Sequence, residues 1–365
     1  MTITVGVVGG GQLARMMIPA AEALGVRIAV LAEAQNSAAQ LAATAVGDYR
    51  ELDTLLSFAN SVDVVTFDHE HVPTDLLAEL EKRGVQVRPG PHALIFAQDK
   101  ARMRQRLTES SVPLPDWRVA ISADEVEEFV GNHAGEAIAK TPRGGYDGKG
   151  VRVIRSAADV GDWLAIGEVL LEEKVSFSRE LAQLVARSPS GEVRIFPLVE
   201  TVQKDGICAE VIAPAPGATE ELRARTAEVA QMIAEQLDVT GVLAVELFQA
   251  RDDVVVNELA MRPHNSGHVF TEGAVTSQFE QHLRAVLDWP LGDTSLRHPW
   301  SVMVNLFGAA DHMRIVAALE TSGLVRVHAY GKEPRPGRKA GHVVVSGDKL
   351  EDVRDIARRA ARAGE

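Results

Sequence analysis

The sequence predicts a protein of mixed α/β and α+β class, in which a doubly wound domain is followed by antiparallel sheets. Three observations predict it. A strand–helix–strand pattern fills residues 3–31, short strand and helix patterns alternate through the middle of the chain, and longer strands of antiparallel character begin at residue 180. The apolar residues of each pattern recur with the period of the predicted element, which is 2 residues for half-buried strands and 3.6 residues for helices.

The first pattern begins with an apolar, β-branched run at residues 3–8, which is typical of a buried parallel strand. Glycines 9–11 follow, then a helical pattern from 12 to about 24 and a second strand at 26–31. Further strand patterns lie at 45–47, 62–67 and 85–87, with helical patterns between them. This order predicts a Rossmann-like sheet that ends near residue 90.

A charged helix at 98–110 and a stiff connector at 111–115 lead into the second region. Its short strands are predicted at 117–120, 136–140, 150–154 and 168–173, and its helices at 123–132 and 157–166. The longer strands are predicted at 180–186, 193–201, 241–248 and 254–259, with a helix at 219–237. We place the domains at residues 1–97, 98–295 and 296–365, with a small subdomain at about 116–175 inside the second.

The amino-acid composition argues against several classes of function and of site. The 365 residues include 38 Lys and Arg against 51 Asp and Glu, a net charge of −13, which argues against nucleic-acid binding through a broad basic surface. The single cysteine, Cys208, excludes an intrachain disulfide and a cysteine-built metal site. The sequence shows neither a signal-peptide pattern nor a long apolar run, so we expect a cytoplasmic protein without membrane contact.

The first glycine loop, Gly9 to Ala14, fits the G-x-G-x-x-G/A fingerprint, and Glu33 follows about 20 residues later. Glycines allow a close approach to a ligand, and a helix N-terminus favours a phosphate. Three interpretations stay open: a dinucleotide site, a tight turn without a ligand, and a loop that holds the phosphate of a substrate.

The second glycine loop, residues 143–150, has four glycines in seven residues between two strand patterns. Its backbone amides are suited to cover phosphate groups. An ordinary turn around Asp147-Gly148 is the alternative, but one turn does not need four glycines flanked by Arg143 and Lys149. Lys140, just before the loop, can reach phosphate oxygens.

Glu246 and Glu258 lie on two successive predicted strands. If they pair, both side chains point to one face, which requires a turn with an odd number of residues such as 249–253. Two carboxylates on one face predict a Mg²⁺ site, completed by phosphate oxygens and water. The alternative is a surface hairpin with solvated acids, although apolar neighbours such as Val245 and Leu247 mark one face as core.

Residues 262–268, with the sequence RPHNSGH, directly follow this strand. Arg262, His264 and Asn265 cluster on one loop and offer charge-assisted hydrogen-bond donors to a small anion.

Taken in order, these features resemble the ATP-grasp superfamily. The order is a βαβ domain, a lysine, a glycine-rich flap, a strand ending in EEKV at 172–175 and paired glutamates with Asn257. Within that superfamily, five segments are similar to the family of 5-(carboxyamino)imidazole ribonucleotide synthases: residues 10–13, 144–150, 257–260, 262–268 and 335–342. The chain departs from the pattern at Gln203, where relatives can carry a histidine near the nucleotide.

The resemblance implies an ATP-grasp fold, in which 1–97 is the pre-ATP-grasp domain, 116–175 the flap and 296–365 a domain that closes the substrate cleft. It also implies a ligase of de novo purine biosynthesis. ATP, bicarbonate and 5-aminoimidazole ribonucleotide would give ADP, phosphate and the carboxyamino product, by way of carboxyphosphate. The alternatives are another ATP-grasp ligase, such as a formate-dependent glycinamide ribonucleotide transformylase, an NAD-dependent oxidoreductase based on the first glycine loop, and a non-catalytic nucleotide-binding regulator. A homodimer is expected from the family.

The resemblance also implies which residues form the site. The residues implied to bind ATP are Lys100, Lys140, Gly145, Tyr146, Asp147, Gly148, Lys149, Gly150, Val151, Glu172, Glu173, Lys174, Val175, Glu180, Asn257 and Glu258. Those implied to bind the ribonucleotide are Gly11, Gln12, Leu13, Glu70, Tyr146, Lys332, Arg338 and Lys339. The catalytic residues would be Arg262, His264, Asn265, Asp147 and Lys339, and Glu246 and Glu258 would hold Mg²⁺.

Overall fold

A computed structural model describes residues 2–145, 150–250 and 253–364. The N-terminal domain is a parallel sheet of four strands in the order β3-β2-β1-β4, covered by helices. Its elements are β1 (Thr4–Val8), α1 (Gln12–Ala23), β2 (Arg27–Ala32), β3 (Ala43–Val46), α2 (Leu52–Ala59), β4 (Val64–Phe67), α3 (Thr74–Lys82) and α4 (Pro91–Gln98). The predicted doubly wound domain is confirmed, but the strand predicted at 85–87 is reduced to a bridge between Val65 and Val87.

The second region is an antiparallel sheet of four strands in the order β5-β8-β6-β7. Its elements are α5 (Lys100–Glu109), β5 (Trp117–Ala120), α6 (Ala123–Asn132), β6 (Ala137–Lys140), β7 (Val151–Ile154), α7 (Gly161–Leu164) and β8 (Val169–Glu173).

Of two helix predictions in this region, one is confirmed and one is wrong in its bounds. The helix predicted at 98–110 is α5, which begins at Lys100 because Asp99 has extended backbone and its side chain caps the helix by accepting from the Arg102 N–H. The helix predicted at 157–166 is a 3₁₀ turn followed by the single turn of α7, since glycines at 161 and 167 disfavour a longer helix.

The rest of the chain forms an antiparallel sheet of nine strands in the order β14-β13-β9-β11-β12-β15-β17-β16, with β10 paired to β9. Its elements are β9 (Arg179–Arg187), β10 (Val193–Ile195), β11 (Val199–Lys204), β12 (Ile207–Ala213), α8 (Glu220–Gln236), β13 (Gly241–Ala250), β14 (Asp253–Ala260), α9 (Phe270–Gly273), α10 (Gln278–Val286), β15 (Trp300–Gly308), α11 (His312–Thr321), β16 (Arg326–Ala329), β17 (Arg335–Gly347) and α12 (Leu350–Arg362).

The structure corrects the sequence prediction at two places in this sheet. The strand predicted at 193–201 is split into β10 and β11 around Pro197, which has no N–H for the ladder. Strand β12 was not predicted, although the Asp205-Gly206 turn pair between two apolar runs is the signal of a hairpin. Because β12 pairs with β15, the sheet continues without a break across the domain boundary placed at residue 295.

The N-terminal domain packs against this sheet through two groups of buried apolar side chains. Helix α8 covers one face through residues such as Val229 and Ile233, whose core also includes Phe67 of the N-terminal domain. On the other side, α1 packs against α10 through Met17, Phe279 and Leu283. In the described parts of the chain, no helix combines the length and the apolar character needed to cross a membrane.

Candidate active site

Three glutamates lie on one face of the large sheet. Glu246 of β13 stands directly opposite Glu258 of β14, and Glu180 of β9 is the diagonal neighbour of Glu246, since it pairs with Phe248. The predicted pairing of the two glutamates on one face is therefore confirmed.

The predicted five-residue turn is wrong. The two strands continue until Ala250 pairs with Asp253, and the odd residue is Asn257, which bulges between the Glu246–Glu258 and Leu247–Val256 pairs. A bulge shifts the register by one residue, as an odd turn would have done, and it also re-aims its own side chain.

The bulge meets a group of polar and charged side chains that we call the lysine–glutamate cluster: Lys100, Arg104, Lys140 and Glu172, which are buried, and Asn257 and Glu258, which are partly exposed. Lys100 Nζ lies 2.9 Å from Glu258 Oε1, and Lys140 Nζ lies 2.7 Å from Glu172 Oε2 and 3.0 Å from Asn257 Oδ1. Burial lowers the pKa of Lys140, and the nearby Glu172 carboxylate opposes that shift. The structure thus brings together five of the predicted ATP ligands: Lys100, Lys140, Glu172, Asn257 and Glu258.

Arg104 completes the cluster and was missed by the sequence analysis. Its Nε and Nη2 both lie 2.7 Å from Glu172 Oε1, and Nη2 also donates to the Asn257 carbonyl at 2.7 Å. Burial would raise the pKa of Glu172, but Arg104 and Lys140 hold it below its ordinary value. A signal was present, because Lys100, Met103, Arg104 and Leu107 follow helical spacing on the buried face of α5.

Glu180 has the environment of a carboxyl group that resists ionisation. Burial, reinforced by the charge of Glu246, raises the pKa of Glu180 to about 7, and a hydrogen bond with Gln203 opposes the shift. The position at which this chain departs from the family pattern therefore contacts a predicted ATP ligand.

A second group of site residues comes from the loop after β14. Arg262 Nε donates to Glu70 Oε2 at 2.8 Å, His264 Nε2 lies 3.1 Å from Glu246 Oε1, and the amides of Asn265 and Asn305 hydrogen-bond each other. Burial would raise the pKa of Glu246, but His264, with Lys339 and Arg262, holds it below its ordinary value. The loop thus links the glutamate face to Glu70 of the N-terminal domain.

The first glycine loop is held by carboxylates. Asp68 Oδ1 accepts from the Ala14 N–H at 2.8 Å, and a Cβ on Gly11 would lie 1.9 Å from Asp68 Oδ2, so only glycine fits there. Glu33 Oε2 accepts from the Gly10 N–H at 3.1 Å, and the hydrogen bond with His69 is the main cause that lowers its pKa to about 2. Glu33 therefore binds its own loop, which removes the basis for a dinucleotide site.

The predicted ribonucleotide residues come from both ends of the chain. Lys332 Nζ donates to Gln12 Oε1 at the start of α1. The Leu13 side chain is buried in the core, which leaves its backbone as the part that can meet a ligand. Arg338 Nη1 donates to the Glu333 carbonyl at 3.3 Å, and the charge of Lys339 lowers the pKa of Glu246 and of His268.

Residues 336–337, a Pro-Gly pair that is typical of a turn, are part of β17, where the pairing with β15 is irregular between Leu306 and Gly308. That irregular strand, rather than an open turn, presents Arg338 and Lys339.

The second glycine loop is described only at its base. Arg143 pairs with Asp99 at 3.0 Å, and the Thr141 N–H donates to the Gly150 carbonyl. Tyr146, Asp147, Gly148 and Lys149 lie outside the described residues, and Val151 begins β7.

The predicted ATP residues at the end of β8 are mostly open to solvent. Glu173 and Lys174 are exposed, Lys174 pairs with Glu136, and Val175 continues the chain after β8.

Glu246 and Glu258 are suited to hold a magnesium ion through their two carboxylates. Glu246 and Glu258 are adjacent on one face, and the charge of Glu246 already disfavours ionisation of Glu180, so a cation there would relieve a concentration of negative charge. In the described ranges, no three His, Cys, Asp or Glu side chains converge on one point. A cation would therefore need further oxygen ligands from phosphate and water.

Models of three protein families match successive parts of the chain. The ribonucleotide synthetase preATP-grasp domain matches residues 1–98, the ATP-grasp domain matches 105–279, and the phosphoribosylaminoimidazole carboxylase C-terminal domain matches 301–356. These matches confirm the predicted ATP-grasp fold.

Individual proteins agree with these matches. N5-carboxyaminoimidazole ribonucleotide synthase of Corynebacterium ammoniagenes is 48% identical, over 98% of this chain and 91% of its own length. The crystal structure of the Thermus thermophilus synthetase is 37% identical, with a TM-score of 0.91 over 99% of both chains. The Aspergillus clavatus synthase, solved in complex with ADP and 5-aminoimidazole ribonucleotide, is 30% identical, with a TM-score of 0.88 over 98% of this chain and 97% of its own.

Proposed function

Since this chain belongs to the N5-carboxyaminoimidazole ribonucleotide synthases, a family of ATP-grasp ligases, we infer that it carboxylates 5-aminoimidazole ribonucleotide at the expense of ATP in purine biosynthesis. Family membership decides against the NAD-dependent oxidoreductase and the formate-using ligase. We propose further that the carboxyl donor is bicarbonate and that the ATP is bound with Mg²⁺.

The observation that carries this proposal is the position of His264. Its imidazole contacts Glu246 on the glutamate face, and its loop also carries Arg262, which pairs with Glu70 of the N-terminal domain. Charge-assisted donors therefore lie between the lysine–glutamate cluster and the start of α1. A small anion bound there would have ATP on one side and the ribonucleotide on the other.

At the ATP side, Lys100 and Lys140 would exchange their carboxylate partners for phosphate oxygens when the nucleotide binds. Glu180 is proposed to bind the ribose, and the segment from Glu172 to Val175 to meet the adenine edge. Glu246 and Glu258 would hold Mg²⁺, which supplies charge neutralisation for the transferred phosphoryl group when bound. The second glycine loop, residues 143–150, is proposed to cover the phosphates.

The chemistry balances without a further reactant. A bicarbonate oxygen bonds to the γ-phosphorus while the bond to the β–γ bridging oxygen breaks, which gives carboxyphosphate and ADP. Carboxyphosphate then releases phosphate and CO₂, and the substrate amine adds to the CO₂ carbon and loses one proton. We assign Arg262, His264 and Asn265, with Lys339, to stabilise the anionic intermediate.

At the other side, Gln12 and the start of α1, with Lys332 and Arg338, are proposed to bind the ribonucleotide phosphate, and Glu70 its ribose. Unpaired N–H groups at a helix N-terminus suit an anion. From the family resemblance we also propose that the chain is cytoplasmic and forms a homodimer. Light scattering of the purified chain would test the homodimer.

The deciding experiment measures ADP release from MgATP in bicarbonate-depleted buffer. We expect release to rise only when bicarbonate and 5-aminoimidazole ribonucleotide are both restored, with ¹³C from labelled bicarbonate in the product. Full ADP release and full product formation without bicarbonate would overturn the assignment of the carboxyl donor.

A further inference from the structure

Gln278, the first residue of α10, is fully buried and lies against the loop of Arg262 and His264. Its Oε1 accepts from the His264 N–H at 2.8 Å, and its Nε2 donates to the His264 carbonyl at 2.9 Å and lies 3.0 Å from His268 Nδ1. A Cβ on Gly267 would lie 2.1 Å from Gln278 Oε1, so the loop touches the amide directly.

These contacts fix the orientation of the amide. A backbone N–H can only donate and a backbone carbonyl can only accept, so the Gln278 oxygen must face the first and its nitrogen the second. His268 Nδ1 must then accept from Gln278, which leaves the proton of a neutral imidazole on Nε2. Burial, with nearby positive charges, also lowers the pKa of His268 well below its ordinary value.

The His268 ring, held by this hydrogen bond, packs against the C-terminal strand β17. It stacks on His342 of β17, with ring centroids 4.7 Å apart and planes at 11°. His342 Nδ1 lies 2.7 Å from the Tyr330 hydroxyl, and Lys339 is three residues before His342 on the same strand. The Gln278 amide therefore contacts the loop with Arg262 and, through His268, the strand with Lys339.

We propose that Gln278 is a positioning residue for the carboxylation reaction. It holds the His264 backbone so that the imidazole faces Glu246 and the Arg262–Asn265 loop keeps its geometry toward the bound anion. This inference rests on the proposed role of that loop. Side chains held this way are preorganised, and a displacement of about 1 Å in a reacting group can cost about 100-fold in rate.

Gln281 offers a matched control on the same helix. It is also fully buried, and its Oε1 and Nε2 make two 2.8 Å hydrogen bonds with the backbone N–H and carbonyl of Gly292. Gln278→Met and Gln281→Met therefore each remove a buried amide that clamps one backbone residue, but only the first clamps the loop of His264.

We expect both variants to lose similar stability in urea unfolding. Only Gln278→Met should lower kcat/KM for bicarbonate, by about 10- to 100-fold, while KM for MgATP stays near the wild-type value. Combined with His264→Ala, Gln278→Met should lower kcat/KM by less than the product of the two single losses, because both act on the same loop, whereas Gln281→Met should combine additively.

Equal kcat/KM for bicarbonate in Gln278→Met and Gln281→Met would overturn the proposal, and so would full additivity of Gln278→Met with His264→Ala. If Gln278→Met does not fold, Gln278→Glu serves instead, since it keeps the acceptor for the His264 N–H and loses the donor. The bicarbonate dependence of the wild-type enzyme is measured separately, so a failure of the proposed function is distinguished from a failure of the role of Gln278.

Discussion

The two ends of the proposed cleft hold their positive charges in different ways. At the proposed ATP end, Lys100, Lys140 and Arg104 are buried against the carboxylates of Glu258 and Glu172 at 2.7–2.9 Å. At the proposed ribonucleotide end, Lys332 donates to the neutral side chain of Gln12, and Arg338 donates to a backbone carbonyl.

The difference shows what each ligand must displace. A phosphate at the proposed ribonucleotide end would replace hydrogen bonds to neutral acceptors, and it is favoured because charge-assisted hydrogen bonds are roughly twice as strong. Lys332 and Lys339 also feel the charges of Asp68 and Glu246, respectively. A nucleotide at the ATP end must exchange ion pairs that already exist, so it needs a cation to take over the carboxylates. We therefore expect the proposed ATP end to be preassembled by ion pairs and the proposed ribonucleotide end to be organised mainly for binding.

The largest effect is expected from Glu258→Gln, which removes one of the two carboxylates that would hold Mg²⁺. Turnover should fall by about 100-fold or more, the scale of losing one preorganised electrostatic contact to the transition state. ADP release at ordinary Mg²⁺ concentration measures it.

Glu200→Gln is the control for this change. Glu200 forms an ion pair with Arg179 at 2.9 Å in the same sheet. Its partner in the β9–β11 strand register is Leu181, so its side chain lies on the opposite face of the sheet from Glu180, and Glu200→Gln should leave turnover near the wild-type value. Near-normal turnover by Glu258→Gln would contradict the metal assignment.

The next effect concerns stability at the ATP end. Arg104→Met should lower the free energy of unfolding by about 3–5 kcal/mol, since it leaves Glu172 buried beside a single cation. Arg152→Met, which breaks an exposed pair with Asp162, should cost about 0–1 kcal/mol. Urea unfolding of both variants makes the comparison, and equal costs would show that the buried cluster does not stabilise the fold.

The smallest effect is a loss of binding at the ribonucleotide end. Lys332→Ala and Lys339→Ala should each weaken the binding of 5-aminoimidazole ribonucleotide by about 1.5–3 kcal/mol, or roughly 10- to 150-fold in affinity, with little change in the affinity for MgATP. Calorimetric titration of each ligand measures this, with Lys204→Ala at the exposed end of β11 as the control. A selective loss of MgATP binding would place these lysines at the other end of the cleft.

Local patterns in the sequence predicted the doubly wound domain and part of the candidate site, and the family resemblance implied the ATP-grasp fold and the other site residues. The βαβ unit, the face shared by Glu246 and Glu258, and the loop at 262–268 all follow from spacing within about 20 residues. The structure brings them together as expected, with Lys140 beside Asn257 and His264 beside Glu246.

Some features depended on the tertiary structure. The bulge at Asn257 replaced the expected turn, and β12 joined the C-terminal strands to the central sheet. Arg104 and Gln278 looked like ordinary polar residues of helices until their partners were known, Glu172 at 68 residues from Arg104 and His264 at 14 residues from Gln278. Periodicity along the chain reports which side of an element is buried, because burial depends on the local face. It does not report which distant polar group a buried side chain will meet, because that choice is made only when separate elements pack together.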